Sequence, residues 1–274
     1  MDPFLPPGHV LSAWWERGRS LQPRLTMWHR GDGFDVTIEP DASFLVEVSK
    51  QRTCIGDWRR SSYRECPTRA AVDGAFGQCP RCGDAELEQC VFTPAEGCGH
   101  AMCHAPHAVY LAFFGPHAKV GMTRGGRERA RVLEQGADAY VVLARPPSRF
   151  EARRLEQAVS ERLHVPEWLM PKQTMAAWAM EDPLGKAGDV LETYLPELEA
   201  MGLRPGPLVP LSGFPAPSPL PSVPRVRLTH GVHRGRILGC RGKYLFYESP
   251  KGKLTAMRWM DLPARWSRLP GTLE

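Results

Sequence analysis

The chain has 274 residues, 42% hydrophobic and 24% charged, with a formal net charge of +5. These proportions are ordinary for a globular protein of two small domains, or of one domain with appendages. No apolar run approaches the roughly eighteen residues that a membrane span needs. The first residues, Met1 to Pro7, carry neither a basic region nor an apolar core, so no secretory signal is expected; a cytoplasmic setting with reduced thiols is.

Residues 1–53 read as a β-rich region. Leu25 to His29 and Phe34 to Ile38 flank Gly31-Asp32-Gly33, a hairpin signal, and Phe44, Val46 and Val48 continue the alternation. Trp14, Trp15 and Trp28 are read as packing residues.

Residues 54–107 hold Cys54, Cys66, Cys79, Cys82, Cys90, Cys98 and Cys103. Cys79-Pro80-Arg81-Cys82 is a tight turn able to aim two thiolates at one ion. Tetrahedral zinc takes four such ligands, usually as two sequence-local pairs. The favoured set is therefore Cys79, Cys82, Cys98 and Cys103, with His100 or His107 able to replace one member. Cys54 and Cys66 join a second site or swap in. With four protein ligands and no open position the zinc would be structural, supporting a stretch poor in apolar residues. Cys90 and Cys240, without partners at ligand spacing, read as buried free thiols.

Residues 108–202 alternate strand and helix patterns. Val109, Leu111 and Phe113 form a strand that turns at Gly115-Pro116, and Ala118 to Thr123 is its partner. Gly125-Gly126 admits a helix over Arg127 to Gln135, stopped by Gly136. A third strand covers Ala139 to Ala144. Ser148 and Glu151 form a capping box for a second helix, whose Ala152, Leu155, Val159 and Leu163 share one face. Glu156 lies beside that stripe, where an unpaired carboxylate is costly and calls for a metal, a cation or an open cleft; Arg153 and Arg131 are the nearest candidates for an ion pair. Val165 to Glu199 reads mainly as helix, with Trp168, Leu169 and Met170 packed on the core and a stripe of Leu191, Tyr194, Leu195 and Leu198.

Residues 203–224 contain eight prolines and almost no charge, the pattern of an extended linker at a domain boundary. In residues 225–274, apolar strands such as Tyr244 to Tyr247 are broken by Gly235, Gly239, Gly242 and Pro250-Lys251-Gly252, suggesting a small antiparallel barrel or curled sheet. Arg236, Arg241 and Lys243 belong to a cationic excess here, the pattern of phosphate contacts, with Tyr244, Tyr247 and Trp259 available to stack on bases.

Two resemblances sharpen this. Ala108-Val109-Tyr110, Lys119-Val120-Gly121, the following arginines and Glu156 resemble the GIY-YIG nuclease domain, with lysine where the family has its second tyrosine. That resemblance implies an α+β fold, a GIY-YIG-like three-stranded sheet with flanking helices. It implies a catalytic set of Tyr110, Lys119, Arg131 (with Arg127 as the alternative arginine) and Glu156, with one Mg2+ or Mn2+ on Glu156 and metal-dependent cleavage of DNA or RNA. Arg124 and Arg127 would join the phosphate grip, and Gly121 would leave room for a phosphate backbone to approach. A wider resemblance covers most of the chain: Val109-Tyr110-Leu111-Ala112, Lys119 to Arg124 and Arg131 to Ala137 are similar to an uncharacterised prokaryotic domain-of-unknown-function family with cysteines ahead of such a core. The alternative reading is a non-catalytic nucleic-acid-binding adaptor.

Overall fold

The computed structural model describes residues 5–17, 20–59, 62–74, 77–83 and 96–271. The expectation for Cys90 falls outside them. The architecture is mixed α+β, with four α-helices among the described residues and sheets of nine, four and two strands. The chain divides into two compact units: one of residues 1–88, 213–217 and 224–274, the other of residues 89–212 and 218–223.

The first unit is built on a nine-stranded sheet. β1 (Gly8–Arg17), β2 (Leu21–His29) and β3 (Asp32–Thr37) pair antiparallel in chain order, and β4 (Ser43–Val48) follows. A two-stranded hairpin, β5 (Asp57–Arg59) and β6 (Ser62–Arg64), stands apart from it. The expected β-module strands are present as β11 (Arg225–Arg227), β12 (Gly231–Arg241), β13 (Tyr244–Glu248), β14 (Leu254–Arg258) and β15 (Trp266–Arg268). They do not close a barrel of their own. The sheet order is β11-β14-β13-β12-β4-β15-β1-β2-β3, so β4 lies between two strands from the far end of the chain. Gly231↔Val48 and Ser267↔Val48 fix the two registers.

One apolar core joins the two ends: Val10, Trp15, Leu25, Met27, Val46 and Val48 pack with Ile237, Leu245, Tyr247, Met257 and Trp259. Trp15 and Trp259 both donate their indole N–H to the Gly242 carbonyl, at 3.2 and 3.0 Å. This corrects the reading of Tyr244, Tyr247 and Trp259 as stacking residues, since all three are buried. Buried aromatics contribute to the core rather than to a surface platform.

The second unit carries β7 (His107–Phe114), β8 (His117–Arg124), β9 (Ala139–Ala144) and β10 (Val209–Pro210), in the order β10-β9-β7-β8 and antiparallel throughout. The expected three strands are there; the fourth comes from the proline-rich stretch. That stretch is no solvated spacer, because Leu211, Ala216 and Leu220 are buried.

The first helix is α1 (Glu128–Gln135). It stops at Gly136, whose φ of 82° is left-handed and whose N–H closes on Val132 and Leu133. Next comes α2 (Arg149–Leu163), where the Ser148 hydroxyl accepts from the Glu151 N–H as the capping box requires. Two further helices, α3 (Pro171–Trp178) and α4 (Pro183–Ala200), replace the single helical stretch expected after Val165. Ala152, Val159 and Leu163 of α2 and Leu191 and Leu198 of α4 pack on Val109, Leu111, Phe113 and Val120. Trp168 and Met170 depart from expectation: they are 72% and 60% exposed, not packed on the core.

Candidate functional site

The hairpin of β5 and β6 brings its two flanks together, and with them Cys54 and Cys66. Gly56 makes this possible: its φ is +75°, and a Cβ there would lie 2.2 Å from the Arg64 carbonyl oxygen. The Cys79–Cys82 turn completes the group, closed by the Cys82 and Gly83 N–H groups donating to the Cys79 carbonyl, each at 2.9 Å. The ligand atoms of Cys54, Cys66, Cys79 and Cys82 all lie within 4.8 Å of one another. Cys66 and Cys79 sulfurs are 3.9 Å apart, close to the ~3.8 Å that two thiolates span on a tetrahedral zinc with bonds of about 2.3 Å.

The surroundings offer hydrogen-bond donors to the sulfurs but also desolvate them. Cys54 Sγ accepts backbone N–H bonds from Gly56 at 3.4 Å and Cys79 at 3.2 Å. Burial raises the Cys54 and Cys82 thiols. Burial also acts upward on Cys66, but the Thr68 hydroxyl and the Ala70 and Thr68 N–H groups outweigh it and bring that thiol down to about 6. Four thiols in one knot, three buried and that of Cys82 half-buried, fit a thiophilic ion such as zinc. This corrects the favoured set. Cys79 and Cys82 take Cys54 and Cys66 as their partners, while Cys98 and Cys103 belong to the other unit. Sequence-local pairing failed because the partner pair is local in space through a hairpin.

In the second unit, β7 and β8 place Tyr110 opposite Gly121 and Ala112 opposite Lys119, so Tyr110 and Lys119 share a sheet face as expected. The space over Gly121 is filled by Tyr110 itself: a Cβ at residue 121 would lie 2.6 Å from the phenol oxygen. That corrects the reading of Gly121 as an approach for phosphate. Gln135 Nε2 donates to the Tyr110 hydroxyl at 3.0 Å. Burial raises the Tyr110 phenol, the Arg131 guanidinium and Gln135 amide oppose that rise, and Glu156 adds to it.

Glu156, on α2, is buried and meets Arg153 Nη1 at 2.6 Å; the same nitrogen is 2.8 Å from Glu167. Burial raises the Glu156 carboxyl, Arg153 opposes this most strongly, Glu167 adds to it, and Lys119 opposes it again. Lys119 Nζ donates to the Glu167 carbonyl at 2.7 Å. The four expected residues therefore form two linked groups: Tyr110 with Arg131 and Gln135, and Glu156 with Arg153, Glu167 and Lys119. The sequence reading missed Gln135 and Glu167.

The phosphate-binding candidates are unevenly placed. Arg124 is exposed; Arg127 and Arg131 are exposed and share Glu134, at 3.2 and 3.5 Å. Arg236 is held between Asp41 and Glu248 at 2.7 and 3.1 Å, because β12 lies beside β4. Arg241 is buried with its guanidinium 5.1 Å from the Phe214 ring centroid. Lys243 is half-buried and engaged. Of the three tail residues expected to grip phosphate, then, none is a free surface cation, while Arg225, Arg227, Arg234, Lys251 and Lys253 of the same tail are exposed.

These features define a two-unit α+β protein with a four-cysteine centre that could hold a metal such as zinc. The chain belongs to the DUF2797 family, described as a protein of unknown function, whose sequence model matches residues 43–260. No curated protein and no solved structure matches it. No helix among the described residues is long and apolar enough to cross a membrane.

Proposed function

We propose that this is a zinc-stabilised, GIY-YIG-like protein that acts on nucleic acid by metal-dependent phosphodiester hydrolysis. The carrying observation is the coupling of the buried Tyr110 phenol to Arg131, which stands on the exposed face of a helix whose other face is buried. Arg124, Arg127, Arg129 and Arg131 form a cationic run for phosphate, and Arg131 connects that run to the phenol. Glu156 and Glu167 face one guanidinium, that of Arg153. Two carboxylates around a single cation are the donors a Mg2+ or Mn2+ ion would take. When bound, the ion supplies Lewis-acid stabilisation of phosphate charge. Lys119 holds the segment bearing Glu167, and Gln135 fixes the orientation of the Tyr110 hydroxyl.

A second reading rests on the same ion pair. With Arg153 neutralising Glu156, the fold serves as a non-catalytic nucleic-acid-binding adaptor. The test incubates the full chain with single-stranded, duplex and branched DNA and RNA in Mg2+ or Mn2+. On the hydrolytic reading at least one substrate is cut and Glu156→Gln abolishes cutting while leaving affinity in place. Absence of cutting on every substrate, with salt-dependent binding that Arg131→Ala weakens, selects the adaptor. Absence of both cutting and binding refutes both.

A further inference from the structure

Arg149, the first residue of α2, is 7% exposed. A guanidinium cannot shed its charge, so once buried it needs an anion. No carboxylate pairs with it among the described residues. Its Nε donates to His107 Nε2 at 3.3 Å and its Nη1 to Cys103 Sγ at 3.7 Å. His107 Nδ1 lies 2.7 Å from the Ala105 carbonyl, an acceptor only, so Nδ1 carries the proton and Nε2 accepts. That ring is neutral and offers Arg149 no charge. Among the described residues that donate to or accept from Arg149, the sulfur of Cys103 is the group that can become an anion.

Cys103 is not alone. The Cys98 sulfur lies 3.1 Å away, and the pair opens on a cavity of about 410 Å³ whose walls include Glu96 and His104. Two thiolates so close repel unless a cation joins them. A thiophilic divalent ion answers both demands: it binds the two sulfurs as thiolates, and the resulting negative charge faces the buried guanidinium. We propose that Cys98 and Cys103 bind a second zinc-class ion, separate from the four-cysteine centre, with His104 and Glu96 supplying the remaining ligands by side-chain rotation. The sulfurs then move toward the ~3.8 Å spacing of a tetrahedral site, and each thiol proton leaves to solvent. Arg149 is a positioning residue here, acting through Cys103.

Metal content of the full chain, purified under reducing conditions without chelator, tests this, with Co2+ spectra as a second readout. The parent should hold two zinc ions per chain, and Cys98→Ser and Cys103→Ser one each. Co2+-loaded Cys66→Ser should show a sulfur-to-cobalt charge-transfer band that is clearly weaker in Cys66→Ser/Cys98→Ser. Arg149→Met should weaken Co2+ binding at this site about tenfold or more while leaving the four-cysteine site unchanged. If Cys66→Ser fails to fold, the parent-to-Cys98→Ser ratio decides. A parent with a single zinc, a Cys98→Ser variant that still holds two, or a Cys98–Cys103 disulfide in zinc-loaded protein would overturn the proposal.

Discussion

Gly121→Ala tests how tightly the core of the second unit is drawn around Tyr110. The new methyl would lie 2.6 Å from the phenol oxygen, 2.7 Å from Cζ and 3.0 Å from Cε2. Ordinary contact begins near 3.5 Å, so the ring must move by about 1 Å. It has nowhere easy to go, being 1% exposed and held by Gln135. Overpacking of this kind costs about 1–3 kcal/mol, and loss of the Gln135 bond adds roughly 1 kcal/mol. The expected loss is therefore about 2–4 kcal/mol. Tyr110→Phe alone should cost about 1 kcal/mol. The double variant should be less damaging than the sum, because the atom nearest the new methyl has gone. Two units need not unfold together, so hydrogen exchange at the amides of β7 and β8 is the appropriate assay, read against β12 as an internal control. A Gly121→Ala variant within about 0.5 kcal/mol of the parent at those amides would refute the packing argument.

Two other outcomes follow from the first unit. Stripping metal with a strong chelator should lower its melting temperature and expose residues 52–83 to protease, since ligand binding and folding are one equilibrium in such a knot; Cys66→Ser should reproduce both effects, and unchanged melting after complete metal removal would contradict this. His233 is fully buried between the Tyr247 hydroxyl and the Thr229 carbonyl, and burial brings it down to about 4 from the ordinary 6.5. The unfolded chain then binds the proton first, so stability is intact above pH 6.5 and is lost as pH falls toward 4, by about 3 kcal/mol at most. His233→Gln should flatten that acid limb in urea titrations, and parallel pH profiles for parent and variant would sink the assignment.

What was legible in the sequence was local. Ser148 announced α2 because a cap acts within three residues, and Gly136 announced the end of α1 because a left-handed terminus favours glycine. The strands of the second unit were readable as apolar alternation closed by short turns. Partners brought in from far along the chain were not. Nothing in the pattern of β12 says that β4 is its neighbour, so the tail read as a module of its own. The same blindness paired Cys79 and Cys82 with Cys98 and Cys103, the more closely spaced of the two neighbouring pairs, rather than with Cys54 and Cys66. A signal existed in Gly56, two residues after Cys54, and in Pro67, directly after Cys66: both are turn residues at the mouth of a hairpin. Glu156, read as flanking the apolar stripe, is buried, and of its two candidate partners Arg153, three residues back, proved to be the ion pair.

The position of β4 has a consequence for synthesis. Both of its neighbours in the sheet emerge from the ribosome late, roughly 180 to 220 residues after it, at Gly231 and Ser267 opposite Val48. At about 5–20 residues per second, β4 waits on the order of 10–40 s with both backbone edges unpaired. Residues 107–210, which contain every strand of the second sheet, emerge during that interval. That sheet can close while the first remains open. An unpaired apolar strand exposed for so long is a template for intermolecular pairing, so crowding of nascent chains, rather than the thermodynamics of the finished fold, is the stage at which this protein is most vulnerable to aggregation.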